Sequence, residues 1–288
     1  MVVNGDVDIA VRGTAVITNT YNGAGDVTPD ELSSISLLGD HTKIITPFQE
    51  EAFVEGFGKF IEPYYSLASY GGTVNVNVKD QVAQNGKVEI VGNVISMKRS
   101  SGTYTPDVYQ DGRINIGLTT GDSYWKGLID NANLAQTSPT EKDKYGHPKY
   151  DPAIPPVDAD HSGEVNLWLQ NGAQWIYENA SRKDGLDYKH MPEYSQSSYG
   201  SYDGMSHLSR LVGGKDSASA GIIRVKDNDP IQIAEAEGVT KVWYEHADAT
   251  PGTIIGGDVK VLNAKTGTEM MLYTGNNGIT KGLAEGDA

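Results

Sequence analysis

A short phrase recurs along this chain and narrows what it can fold into: a glycine, a few residues alternating apolar and polar, then a polar turn. It reads Gly72-Thr-Val-Asn-Val, Gly86-Lys-Val-Glu-Ile, Gly112-Arg-Ile-Asn-Ile, Gly163-Glu-Val-Asn-Leu and Gly221-Ile-Ile-Arg-Val, with a looser copy at Gly257-Asp-Val-Lys-Val. Alternation of period two marks a strand whose faces meet different surroundings. A strand this short cannot bury its apolar side alone, so repeated copies point to a stacked array in which each unit covers the next. The second copy continues into Gly92-Asn-Val-Ile-Ser, as if one strand turned a corner into another. An antiparallel β-sandwich is the alternative, because Asn22-Gly23, Asn85-Gly86, Asp111-Gly112 and Asn171-Gly172 are also hairpin signals.

Helical periodicity is nearly missing. The best helix candidate is Pro47 to Tyr65, with Phe48, Phe53, Val54, Phe57, Phe60 and Ile61 apolar, weakened by Gly56 and Gly58. Two insertions interrupt the phrase. Residues 133–162 hold five prolines (Pro139, Pro148, Pro152, Pro155, Pro156), and residues 181–207 hold Tyr188, Tyr194, Tyr199 and Tyr202 among Ser, Gly and Asp. The expected organisation is therefore residues 1–66 as N-terminal coils or a cap with a short helix, 67–219 as the array with both insertions, and 220–288 as capping coils.

Composition removes several function classes. Cysteine is absent, which excludes disulfides, thiol catalysis and zinc ribbons. Lys and Arg number 23 against 38 Asp and Glu, a formal charge of -15, so phosphate backbones are repelled and no nucleic-acid partner is expected. No run of 18 apolar residues is present, so no transmembrane helix is expected. The opening MVVNGDVDIAVRG lacks the basic start and apolar core of a signal peptide.

Two segments carry a resemblance. Ile114 to Asn131 reads INIGLTTGDSYWKGLIDN and Val165 to Asn179 reads VNLWLQNGAQWIYEN, each a strand, a glycine beside a small residue, then Trp125 or Trp175 opening a new strand. With GGTVNVNV and GKVEIVGNVIS between Gly71 and Ser96, and IQIAEAEGVTKVWYEH onward from Ile231, residues 67–279 resemble the passenger domains of autotransporters. That resemblance implies a right-handed parallel β-helix (a β-solenoid) exported to the cell surface or secreted through the outer membrane of a Gram-negative bacterium. It also implies an adhesin, engaging a host or bacterial surface protein or glycan, or itself. The family's membrane barrel does not follow in this sequence. In such a stack Val74, Val76, Val88, Ile90, Ile114, Ile116, Val165 and Leu167 should point inward, Trp125 and Trp175 should cap the end of a core layer, and alternates such as Asn75 should face water.

Sites of chemistry are sparse. Gly121-Asp122-Ser123 echoes a hydrolase nucleophile phrase, but the six histidines (His41, His147, His161, His190, His207, His246) sit in no triad pattern, so no catalytic residue is assigned. Asp158-Ala-Asp160-His-Ser162-Gly163 opens like a calcium loop, yet its twelfth position is Leu169 where a bidentate Glu belongs, so no metal and no cofactor are assigned. The acid pairs Glu50 with Glu51, Asp227 with Asp229 and Glu235 with Glu237 keep a glycan-active lyase or hydrolase as an alternative. A structural surface protein, of phage or other origin, on the sandwich fold is another. The candidate ligand-binding residues are Tyr188, Tyr194, Tyr199 and Tyr202, because tyrosines among Ser and Gly supply contact area at low entropic cost.

Overall fold

The computed structural model describes residues 1–19, 33–46, 50–54, 58–62, 64–97, 99–100, 109–110, 112–129, 163–178, 205–226, 230–246, 254–255, 257–274 and 278–279. Among them the regular structure is strand throughout, with no helix. Two long parallel sheets dominate. The first runs, in spatial order, Val2–Val3, Ser34–Leu37, Gly72–Val76, Gly112–Leu118, Glu164–Leu169, Ser206–Val212, Ile231–Glu237 and Val259–Ala264. The second runs Val7–Ala10, His41–Ile45, Lys87–Val91, Tyr124–Lys126, Gln174–Tyr177, Gly221–Val225, Val239–His246 and Glu269–Thr274, with Gly278–Ile279 added antiparallel at the end. Spatial order follows chain order in both, and the chain visits them alternately. A third sheet of Val16–Asn19, Tyr65–Tyr70 and Asn93–Met97 is likewise parallel.

The parallel pairing replaces the sandwich alternative. Its physical basis is the glycine phrase itself, whose copies pair in register: Gly112 with Gly72, Ile114 with Val74, Ile116 with Val76, then Val165 with Ile114 and Leu167 with Ile116. Copies at Gly72, Gly112, Gly163 and Gly257 fall on the first sheet, whereas those at Gly86 and Gly221 fall on the second. All eight expected inward residues are fully buried in one core with Ile44, Val94, Ile223, Ile233 and Val242. The apolar columns make the stack, since the inward side of each interior strand is covered by a neighbour on both sides.

Hairpin signals mislead at the corners. Asn171 and Gly172 both have positive φ (52° and 79°), and Ala173 N–H closes the turn on Gln170 O at 3.0 Å, yet the turn joins strands of different sheets. The tight two-residue hairpin lies instead at Asp80-Gln81, again with both φ positive (49° and 62°), between Val78–Lys79 and Val82–Ala83. Nor is a helix present among the described residues of Pro47 to Tyr65: Glu50–Val54 pairs antiparallel with Gly58–Glu62. Two glycines would cost a helix about 2 kcal/mol, and the β-branched and aromatic residues around them suit a strand. The second insertion also ends earlier than expected, because Ser206–Val212 is already a strand. Residues 133–162 and 181–204 lie outside the described residues.

Outside the first sheet the alternate residues are not simply solvated. Asn75 Nδ2 donates to Ser36 Oγ (3.0 Å), Asn115 Nδ2 to Asn75 Oδ1 (2.7 Å) and Asn166 Nδ2 to Asn115 Oδ1 (2.9 Å), a ladder across four strands in which Asn115 is fully buried. Amides can chain this way because each carries both donor and acceptor. Asn115→Asp keeps the shape but sets two acceptors against each other, and is expected to cost about 2–3 kcal/mol. The deficit should shrink in acid, where the new carboxyl regains a proton. A melting comparison at neutral and acid pH checks this, and equal losses at both would argue against the ladder.

Candidate binding face

The outward face of the second sheet places side chains of neighbouring strands in rows. Over its last five parallel strands one column is Tyr124, Gln174, Ile222, Lys241 and Met271, and the next is Lys126, Ile176, Arg224, Trp243 and Tyr273. Each is partly exposed, while the alternating Trp125, Trp175, Ile223 and Val242 are buried behind them. These ten positions carry three cations, three aromatics and no carboxylate, on a chain of formal charge -15. Trp243 and Tyr273 stack with ring centroids 6.2 Å apart and planes within 24°. Lys126 Nζ meets Glu178 at 3.2 Å at the margin of the face.

The same sheet's early strands carry ion pairs as well. Lys43 faces Asp8 at 3.7 Å, and Glu89 takes both His41 Nε2 (2.7 Å) and Lys87 Nζ (3.3 Å), with Lys87 also 3.6 Å from Asp122. The bond from His41, then that from Lys87, holds the Glu89 carboxyl below its ordinary range. On the first sheet Glu237 is bonded by Lys265 Nζ (2.6 Å) and Arg210, and the Lys265 bond, then Arg210, depresses its pKa. A depressed carboxyl stabilises the fold above its unfolded value near 4.5, and that contribution is lost as pH falls through the folded value. The melting temperature should therefore drop more steeply below about pH 4.5 in the parent than in Glu237→Gln, and parallel profiles would discount the bond.

The remaining sequence candidates separate cleanly. Tyr188, Tyr194, Tyr199 and Tyr202 lie outside the described residues, as do Asp158, Asp160, Ser162, Asp227 and Asp229. Leu169 is fully buried in the core, so the twelfth calcium position supplies packing. Ser123 is buried at a corner where its Oγ accepts the Val88 N–H (2.9 Å) and lies 2.7 Å from Thr120 Oγ1. Its hydroxyl is thereby tied to the backbone of the neighbouring strand of the second sheet. Among the described residues no group of three His, Asp or Glu is placed to hold a metal ion, and no helix is long and apolar enough to cross a membrane.

Trp125 and Trp175 are structural, though not at the end of a layer. They stack face to face in the middle of the second sheet, centroids 4.9 Å apart and planes within 3°, with Tyr177 edge-on to Trp175. Trp125 Nε1 donates to Gly92 O (3.0 Å) and Trp175 Nε1 to Gly127 O (3.1 Å), so each indole satisfies the corner carbonyl one strand earlier. The two-column face was not visible in the sequence because its cations, Lys126, Arg224 and Lys241, are brought together only by the register. Comparison with family models, with curated proteins and with solved structures returns no match.

Proposed function

We propose that this chain is a right-handed β-solenoid, the passenger segment of an autotransporter, and that it acts as an adhesin at the surface of a Gram-negative bacterium. The observation that carries the reading is the in-register parallel stacking of the glycine phrases, which supports a rigid, elongated scaffold presenting side chains in rows. Rows of this kind suit repetitive contact with a surface protein or a glycan, or with further copies of the chain. Binding without turnover is also in keeping with Ser123, the one hydroxyl in a nucleophile-like phrase, being committed to a backbone bond.

Beads coated with the purified chain test the adhesive role. They are expected to attach to bacterial or host cells in proportion to loading, and soluble chain should compete. Attachment that does not saturate or compete would remove the reading. Release of reducing ends from a polysaccharide would replace it with the enzymatic alternative.

A further inference from the structure

We infer that Asn4 is a site of spontaneous covalent modification: its side-chain amide closes onto the Gly5 nitrogen and reopens as isoaspartate, which frees the strand Val2–Val3 from the first sheet. The reaction does not depend on the adhesive role proposed above. Three described asparagines precede a glycine, at Asn4, Asn85 and Asn171, and all three are exposed. Asn22 and Asn277, which also precede glycine, lie outside the described residues. Glycine favours such a closure because no side chain shields its nitrogen or restricts its backbone. Exposure and sequence are alike at the three positions, so what separates them is how the fold uses that nitrogen.

After Asn85, the Gly86 N–H donates to Asn77 Oδ1 (3.0 Å), and a Cβ on Gly86 would stand 2.6 Å from Gly39 O. After Asn171, the Gly172 N–H donates to Ala220 O (3.0 Å), while Asn171 Nδ2 itself donates to Thr119 O (2.8 Å). Closure at either position must first break these bonds. Gly5 is different. It is exposed, and a Cβ there meets nothing within 4 Å. Among the described residues neither its N–H nor the Asn4 amide has a hydrogen-bond partner.

The chemistry needs only water. The Gly5 nitrogen gives its proton to solvent and attacks Asn4 Cγ, and the new C–N bond expels Nδ2, which takes up a proton and leaves as ammonia. Water then opens the five-membered imide. Attack at Cγ gives aspartate, whereas attack at the main-chain carbonyl gives isoaspartate, with the chain running through Cβ. Water enters, ammonia leaves, and nothing is oxidised or reduced.

Isoaspartate lengthens the main chain by one atom, roughly 1.5 Å. The addition falls between two fixed points: Val3, in register with Leu37, and Gly5, whose carbonyl oxygen lies 2.2 Å from where a Cβ on Gly39 would stand. Val2–Val3 is joined to the next strand through the Met1 amino group on Ser34 O (2.7 Å), the Ser36 N–H on Met1 O (2.9 Å) and the Leu38 N–H on Val3 O (2.8 Å). Two residues long and at the edge of its sheet, it has little to hold it once that register is lost.

Ageing the intact chain in mildly alkaline buffer, followed by peptide mapping for mass gain and for isoaspartate, tests the inference. Asn4 is expected to convert at least about tenfold faster than Asn85 and Asn171 in the folded chain, and the three rates should fall within about threefold of one another in urea. Gly5→Ala should slow conversion of Asn4 about tenfold or more, since its methyl crowds the nitrogen. Hydrogen exchange at Ser36 and Leu38 should quicken in the aged chain but not in Asn4→Asp, which carries the charge without the extra atom. Equal rates at the three asparagines in the folded chain, or a gap that survives in urea, would overturn the assignment of the site. Unchanged exchange in the aged chain, or equal quickening in Asn4→Asp, would overturn the release of the strand.

Discussion

Trp175→Ala is expected to remove about 4 kcal/mol or more from the unfolding free energy. Truncating a buried indole costs about 3–5 kcal/mol through lost transfer energy and the cavity left behind. Here the stack on Trp125 and the edge contact with Tyr177 are lost as well, each aromatic pair contributing about 1 kcal/mol. The Gly127 carbonyl also loses the indole N–H that satisfies it at 3.1 Å. Chemical denaturation of the variant beside Trp175→Phe separates the terms. Phenylalanine restores part of the volume and stacking but not the hydrogen bond, so it should recover about half the loss. A loss below about 1 kcal/mol for alanine would mean that the Trp125–Trp175 pair is not the packed centre of the second sheet.

Gly127→Val should be as severe for a different reason. A Cβ at Gly127 would sit 2.2 Å from the Gly92 carbonyl oxygen and 2.7 Å from its carbon, and backbone cannot swing aside as a flexible side chain can. Relief requires moving one strand end away from its neighbour, which also breaks the Gly92 N–H bond to Lys126 O. The expected cost exceeds about 4 kcal/mol, enough to abolish cooperative unfolding in a marginally stable chain. Gly5→Ala is the matched control, because a Cβ there meets nothing within 4 Å. Its melting curve should overlay that of the parent, and similar behaviour of the two variants would contradict the close corner packing.

The inward residues were legible because period two is a local property: Val74 and Val76, or Ile114 and Ile116, declare a buried face within five residues. Corners were less legible, since positive φ at Asn171 and Gly172 serves a hairpin and a change of sheet equally well. Asp80-Gln81, with no glycine, gave no hairpin signal at all. The asparagine ladder and the basic, aromatic columns were invisible for another reason. Asn115 bonds Asn166 across residues that follow no repeat spacing, and Arg224 reaches Trp243's neighbour position only once the register is set. Pro47 to Tyr65 read as a helix because apolar residues three and four apart can equally belong to two short antiparallel strands joined near a glycine.

The register has one more implication, which concerns how such a chain can change over time. The second sheet's Tyr124–Lys126 and Gln174–Tyr177 pair in register across residues 130–162, and the first sheet's Glu164–Leu169 and Ser206–Val212 do so across residues 179–204. Neither stretch disturbs the alignment of the strands on either side of it. Doubling the length of a connection costs only about 0.6 kcal/mol in closure entropy, far less than one misplaced core residue. The stack therefore behaves as a frame with two open brackets: sequence can be added, removed or exchanged at these points while the columns behind them keep their mates. Foreign segments grafted at the same two positions would be carried at a fixed place along the stacked strands, and diversity could accumulate there without any change in the residues that hold the sheets together.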